Sequence, residues 1–184
     1  MIIQKILRYD IYAGTHGSDR YKHVCNLLMQ TVDPDTLLPD TLDCRDQVVL
    51  TSPRQRATTC IKTSSAKSVT EISELNEITF QLNNFCTEES FLKNGSSAVR
   101  SAFIEAFIAN KLGVPHTQLQ SELDFILNLS KQHNPPLCVS HTFRMKLIEI
   151  YSHIGAELFN NPNIIKKYID PERHLYTFAE TIEI

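Results

Sequence analysis

The chain has 184 residues, of which 42% are hydrophobic and 21% charged, and a formal net charge of −3 at pH 7. That length fits one domain, spanning 1–184, that buries a single core without metal or disulfide staples. The balance of charge gives no footprint for a nucleic-acid partner, which needs a basic patch, and no apolar run approaches the roughly 20 residues that span a bilayer.

The opening residues Met1 to Leu7 are apolar, but Arg8 and Asp10 follow at once. The run is too short for the apolar core of a secretion signal, so a soluble, cytoplasmic protein with no membrane partner is expected. The five cysteines (Cys25, Cys44, Cys60, Cys86 and Cys138) are scattered and form no C-x-x-C pair. They read as reduced thiols. The seven histidines make no H-x-x-x-H or H-E-x-x-H pattern, so neither a metal nor a cofactor is expected.

Three short apolar runs are each followed by a polar turn and a helical pattern. The first, Ile6 to Ala13, predicts a strand ending in Gly14-Thr15-His16-Gly17. Behind it Tyr21, Val24 and Leu28 share a helix face, with Ser18 or Asp19 as cap. Residues 33–46 read as a loop. The second run, Val48-Val49-Leu50, ends at Thr51-Ser52-Pro53, where proline suits the first helical position. Ser68 to Ile72 predicts a further strand. Val99, Phe103, Ile104, Phe107, Ile108 and Leu112 predict an amphipathic helix stopped by Gly113 and Pro115, and Leu119, Leu123, Ile126 and Leu127 another. The 81–115 segment that contains the first of these reads as a lid or insertion.

After the break at Asn134-Pro135-Pro136 comes the third run, Leu137-Cys138-Val139, ending at Ser140-His141. Leu147, Ile148, Tyr151, Ile154 and Leu158 continue at helical spacing, and His174 to Phe178 reads as a last strand. Unbroken Val/Leu runs suit strands buried on both faces. The alternation predicts an α/β fold, a three-layer α/β/α sandwich around a mainly parallel sheet. In such sheets ligands bind beyond the carboxyl ends of the strands. His16, Arg56 and His141 all fall there or one turn beyond.

Four short motifs in this order resemble the histidine phosphatase superfamily, which includes the cofactor-dependent phosphoglycerate mutases. They are Thr15-His16-Gly17, Ser52-Pro53-Arg54-Gln55-Arg56-Ala57, Leu75-Asn76-Glu77 and Val139-Ser140-His141-Thr142. The family patterns are Arg-His-Gly, Ser-Pro-x-x-Arg-Ala, Leu-x-Glu and Val-Ser-His-Gly. The resemblance implies a phosphoglycerate mutase-like fold and four catalytic residues. His16 would be the nucleophile that becomes phosphohistidine, Arg56 the guanidinium that grips phosphate oxygens, and His141 a further donor or positive charge. Glu77 would be the acid that protonates the leaving oxygen and then activates water, if its pKa is raised. Gly17, Thr15, Arg54 and Thr142 would complete the phosphate site. Ser140 reads as structural.

The departures fall inside the expected pocket. Thr15 stands where the family has arginine, Asp19 where it has Thr or Ser, and Thr142 where it has glycine. Arg54, Arg144, Lys22 and Arg20 are candidates to restore the missing charge, with Arg54 and Arg144 ahead of Lys22. Two functions stay open. One is a metal-independent phosphatase acting on a phosphorylated small molecule or a phosphoprotein, with a homodimer compatible. The other is a weak or inactive relative that works as an anion-binding or protein-interaction module.

Overall fold

The structure, a computed structural model, describes residues 2–5, 16–29, 44–59, 61, 65–132, 136–176 and 181–184. Strands β1 (Ile2–Lys5), β2 (Val48–Thr51), β3 (Ser68–Glu71) and β4 (Leu137–Ser140) run parallel. Strand β5 (Thr181–Glu183) pairs antiparallel with β1, giving the order β3-β2-β4-β1-β5. The fold is therefore α/β on a mainly parallel sheet.

The two apolar runs Val48–Thr51 and Leu137–Ser140 lie side by side at the centre. Successive strand residues point to opposite faces, and both faces are covered. Leu50 and Cys138 join the larger core, while Val49, Leu137 and Val139 pack with Cys44, Ala57 and Ile61 in a smaller one. Burial pushes the Cys138 thiol up to about 12, so it is inert at neutral pH. Cys25, Cys44 and Cys86 are also free thiols; Cys60 lies outside the described residues.

The helices are α1 (Gly17–Leu28), α2 (Gln55–Thr58), α3 (Glu88–Asn94), α4 (Ser96–Ile108), α5 (His116–Gln132), α6 (Thr142–Ile154) and α7 (Glu157–Asn160). Helix α4 is buried almost all round, through Ala102, Phe103, Ala106 and Phe107. Phe103 stacks on Phe143 with ring centroids 4.1 Å apart. The α4 half of the 81–115 segment therefore forms a wall of the core. Among the described residues no helix is long and apolar enough to cross a membrane.

Several boundaries differ from the sequence expectations. Helix α1 begins at Gly17 with His16 as its N-cap, so Ser18 and Asp19 sit inside the first turn. Pro53 precedes α2, whose N-cap is Arg54. Helix α4 ends before Gly113, because Asn110 takes the left-handed conformation at φ 52° and its N–H bonds the Phe107 carbonyl. The helical spacing that runs from Leu147 to Leu158 is interrupted at Gly155, φ 55°, which separates α6 from α7. The expected strand Ile6–Ala13 lies outside the described residues, as does most of the 33–46 loop. In the expected tail strand, His174 to Tyr176 is irregular; the last strand is β5.

Gly113 serves close packing. Its N–H donates to the Thr79 carbonyl at 2.7 Å, next to the bridge between Phe80 and Leu112. A Cβ at Gly113 would meet Thr79 Oγ1 at 1.7 Å. Gly113→Ala should destabilise the protein by about 1–3 kcal/mol in urea unfolding, and Thr79→Ala in the same chain should recover most of the loss.

Candidate active site

Thr51 pairs with Val139, and the Ser52 amide extends the ladder by donating to the Val139 carbonyl at 3.2 Å. The chain thus leaves β2 and β4 at the same height, at their carboxyl ends. There Arg56 Nε donates to His141 Nδ1 at 3.3 Å, and His141 Nε2 lies 3.1 Å from Ser52 Oγ. Ser52 Oγ accepts the Arg54 amide at 3.2 Å and donates to Asn76 Oδ1 at 2.5 Å. His141 is 2% exposed. Burial, then the cations Arg56, Arg144 and Arg54, hold its pKa well below the usual histidine value. The ring is neutral at pH 7, with both nitrogens engaged inside the protein. Of the donor or positive charge expected of His141, the charge is opposed here, first by burial and then by the nearby guanidinium groups.

Helix α6 starts immediately after His141, which caps it by backbone conformation but not by side chain. Its first amides need acceptors. Glu77 supplies them: Oε1 accepts the N–H groups of Phe143 and Arg144, each at 3.1 Å, and that of Ile78 at 3.0 Å. Oε2 has a longer contact of 3.4 Å with the Phe143 amide. Burial raises the Glu77 pKa, opposed by the Ile78 and Arg144 amides and by the charges of Arg56 and Arg144. The raised value is the condition set for an acid. Ser140 donates to the Leu75 carbonyl at 2.8 Å and ties β4 to the same ribbon.

Arg144, expected to restore the charge missing at position 15, is engaged by Asn76 and Glu122. Its Nε donates to the Asn76 carbonyl at 2.9 Å, its Nη2 pairs with Glu122 Oε2 at 2.9 Å, and its side chain is 5% exposed. Its Nη1 is buried without a hydrogen-bond partner among the described residues. A cavity of about 530 Å³ lies between residues 73–79 and α5, lined by Glu74, Asn76, Glu77, Glu122, Phe125 and Arg144 among others. His16, Arg56 and His141 do not line it. The cavity meets the hydrogen-bonded network through Asn76 and Glu77.

His16 is exposed at the start of α1, without a side-chain hydrogen bond to the helix. It is not a member of the Arg56–His141–Ser52–Asn76 network. Helix α1 is held through Tyr21, whose hydroxyl donates to the Cys86 carbonyl at 2.6 Å and whose ring meets Phe91, and through Ser18, which bonds Glu88. Gly17 has φ 53°, a left-handed conformation that favours glycine. Thr15 lies outside the described residues. Arg54 stands beside Ser52 as the α2 N-cap, and Thr142 is the first residue of α6. The structure thus joins Arg56 and His141, brings Glu77 to the helix that follows His141, and adds Ser52, Asn76 and Glu122. The last three carry no sequence signal for these roles, apart from Ser52 and Asn76 lying inside the motifs.

No protein family, curated protein or solved structure matches the chain.

His141 ties stability to pH. Its folded pKa lies below the unfolded value of about 6.5, so below that pH the unfolded chain binds the extra proton. Stability should hold above pH 6.5 and fall as the pH drops, by up to about 1.4 kcal/mol per unit for one proton. His141→Asn should flatten this slope in urea unfolding between pH 8 and 5; equal slopes would refute the assignment.

Proposed function

We propose that the chain is a metal-independent phosphatase with a phosphoglycerate mutase-like α/β/α architecture, acting on a phosphorylated small molecule or a phosphorylated protein side chain. The observation that carries this reading is the 3.3 Å contact of Arg56 with His141 where two adjacent parallel strands end. An arginine fork and an imidazole there suit an oxyanion.

The chemistry runs in two steps. A His16 ring nitrogen attacks phosphorus in line, the P–O bond to the leaving group breaks, and that oxygen takes a proton from Glu77. Water then attacks the phosphohistidine, gives its proton to Glu77, and inorganic phosphate leaves. Arg56 stabilises the equatorial oxygens throughout.

A second reading is an anion-binding or protein-interaction module with little turnover. Two observations favour it. Threonine stands at position 15 where the family has arginine, and Arg144 is committed to Glu122 and Asn76.

Turnover separates the two. Para-nitrophenyl phosphate and a panel of alkyl phosphates should be hydrolysed, with an acid-labile phosphate trapped on His16. His16→Ala should lower the rate about 10³-fold or more. No turnover of any phosphate and no labelled His16 would leave the module reading. A nitrophenolate leaves without help, whereas an alkoxide needs a proton. In the first turnover, Glu77→Gln should therefore spare the burst of nitrophenolate and slow alcohol release from alkyl esters by ~10²–10⁴-fold, while hydrolysis of phosphohistidine slows for both; equal first-turnover losses would remove Glu77 as the acid.

A further inference from the structure

The hydrogen bonds around His141 run in one direction. Arginine Nε carries a hydrogen and has no lone pair to offer, so its contact makes His141 Nδ1 the acceptor. The single hydrogen of the neutral ring then sits on Nε2, which donates to Ser52 Oγ at 3.1 Å. The Arg54 amide donates to the same oxygen at 3.2 Å. Two donors occupy both lone pairs of the hydroxyl, so its own proton points elsewhere. It goes to Asn76 Oδ1 at 2.5 Å, an acceptor with no hydrogen of its own.

Asn76 is well held for this task. Its N–H closes a turn on the Ser73 carbonyl at 3.0 Å, and its carbonyl takes Arg144 Nε at 2.9 Å. The side chain therefore meets Ser52 from a fixed main chain. We propose that Asn76, acting through Ser52, is a positioning residue that fixes His141 in the Nε2-protonated tautomer, with the Nδ1 lone pair turned to Arg56. The functional part of this inference rests on the phosphate-binding reading of Arg56 and His141.

The consequence appears when an anion arrives. Phosphate oxygens compete for the Arg56 guanidinium, and Arg56 then ceases to dictate the tautomer. The Asn76–Ser52 pair keeps Nε2 protonated, so Nδ1 is the nitrogen that faces the anion and is open to a proton. The cations Arg56, Arg144 and Arg54 oppose that proton until the anion's charge offsets them.

The test uses the full chain with ¹⁵N-labelled histidine and long-range imidazole correlations, the His141 signals being assigned with His141→Gln. Wild type should show a protonated Nε2 and an unprotonated Nδ1. Arg56→Met removes the second determinant, and the same tautomer should persist. Adding Asn76→Ala frees the Ser52 hydroxyl to donate to Nε2, and the majority form should invert to Nδ1–H. Asn76→Asp in the Arg56→Met chain keeps an acceptor for Ser52 and should restore Nε2–H. Should the Asn76→Ala double variant fail to fold, Ser52→Ala with Arg56→Met, which leaves the Asn76 main chain intact, should show a mixed tautomer. The proposal is overturned by a protonated Nδ1 in wild type, by inversion with Arg56→Met alone, or by Nε2–H persisting in the Asn76→Ala or Ser52→Ala double variants. The spectra need no turnover. Absent hydrolysis with the expected tautomers would remove the phosphatase reading and leave the positioning role standing.

Discussion

A buried carboxylate at a helix start holds the candidate site together. Helix α6 leaves β4 through His141, whose side chain does not cap it, so its first amides lack a local acceptor. Glu77 comes from 66 and 67 residues earlier in the chain to accept the Phe143 and Arg144 N–H groups. That contact, with Ser140 on the Leu75 carbonyl, presses the 73–80 ribbon against β4 and α6. Asn76 is carried along and meets Ser52 across the end of β2. Two demands meet on Glu77. Capping favours the charged form, whereas burial favours the neutral one, and burial prevails in its raised pKa.

The buried pair of Arg144 and Glu122 serves the same ribbon from the other side. Such a pair is a weak source of net stability, because desolvation offsets most of the attraction. Its value here is geometric. The guanidinium spans the Asn76 carbonyl and the Glu122 carboxylate, linking the ribbon and α5 to α6. Arg54 stays beside Ser52, on the site side of the sheet.

Parts of this architecture were legible in the residues. Val48-Val49-Leu50 and Leu137-Cys138-Val139 read as buried strands because neither has polar alternation, and both are central. Arg56 and His141 were legible because each follows such a strand closely. The helix ends were harder. Gly113 looked like the stop for α4, yet Asn110 supplied the left-handed residue and the glycine served contact with Thr79. Gly155 divides a helical pattern whose apolar spacing continues beyond the break. Asn76 and Glu122 could not be read, since their partners Ser52 and Arg144 lie 24 and 22 residues away with no periodicity to join them. Glu77 was read as an acid; its capping of α6 depends on a helix start that only the folded chain brings near.

The placement of β4 between β1 and β2 has a kinetic consequence. Arg56 and His141 are 85 residues apart, and Ser52 and His141 are 89. Closing loops of that length costs entropy before any contact returns it, and parallel pairing across them is intrinsically slow. During synthesis β2 and β3 emerge well before their central neighbour, with the Val49 and Leu50 faces still unpaired with β4. Insertion of β4 joins β1 to β2 and brings His141 to Arg56 and Ser52 in one event. Acquisition of the Arg56–His141–Ser52 network therefore reports the arrival of the global fold, and no N-terminal folding intermediate that lacks β4 contains it.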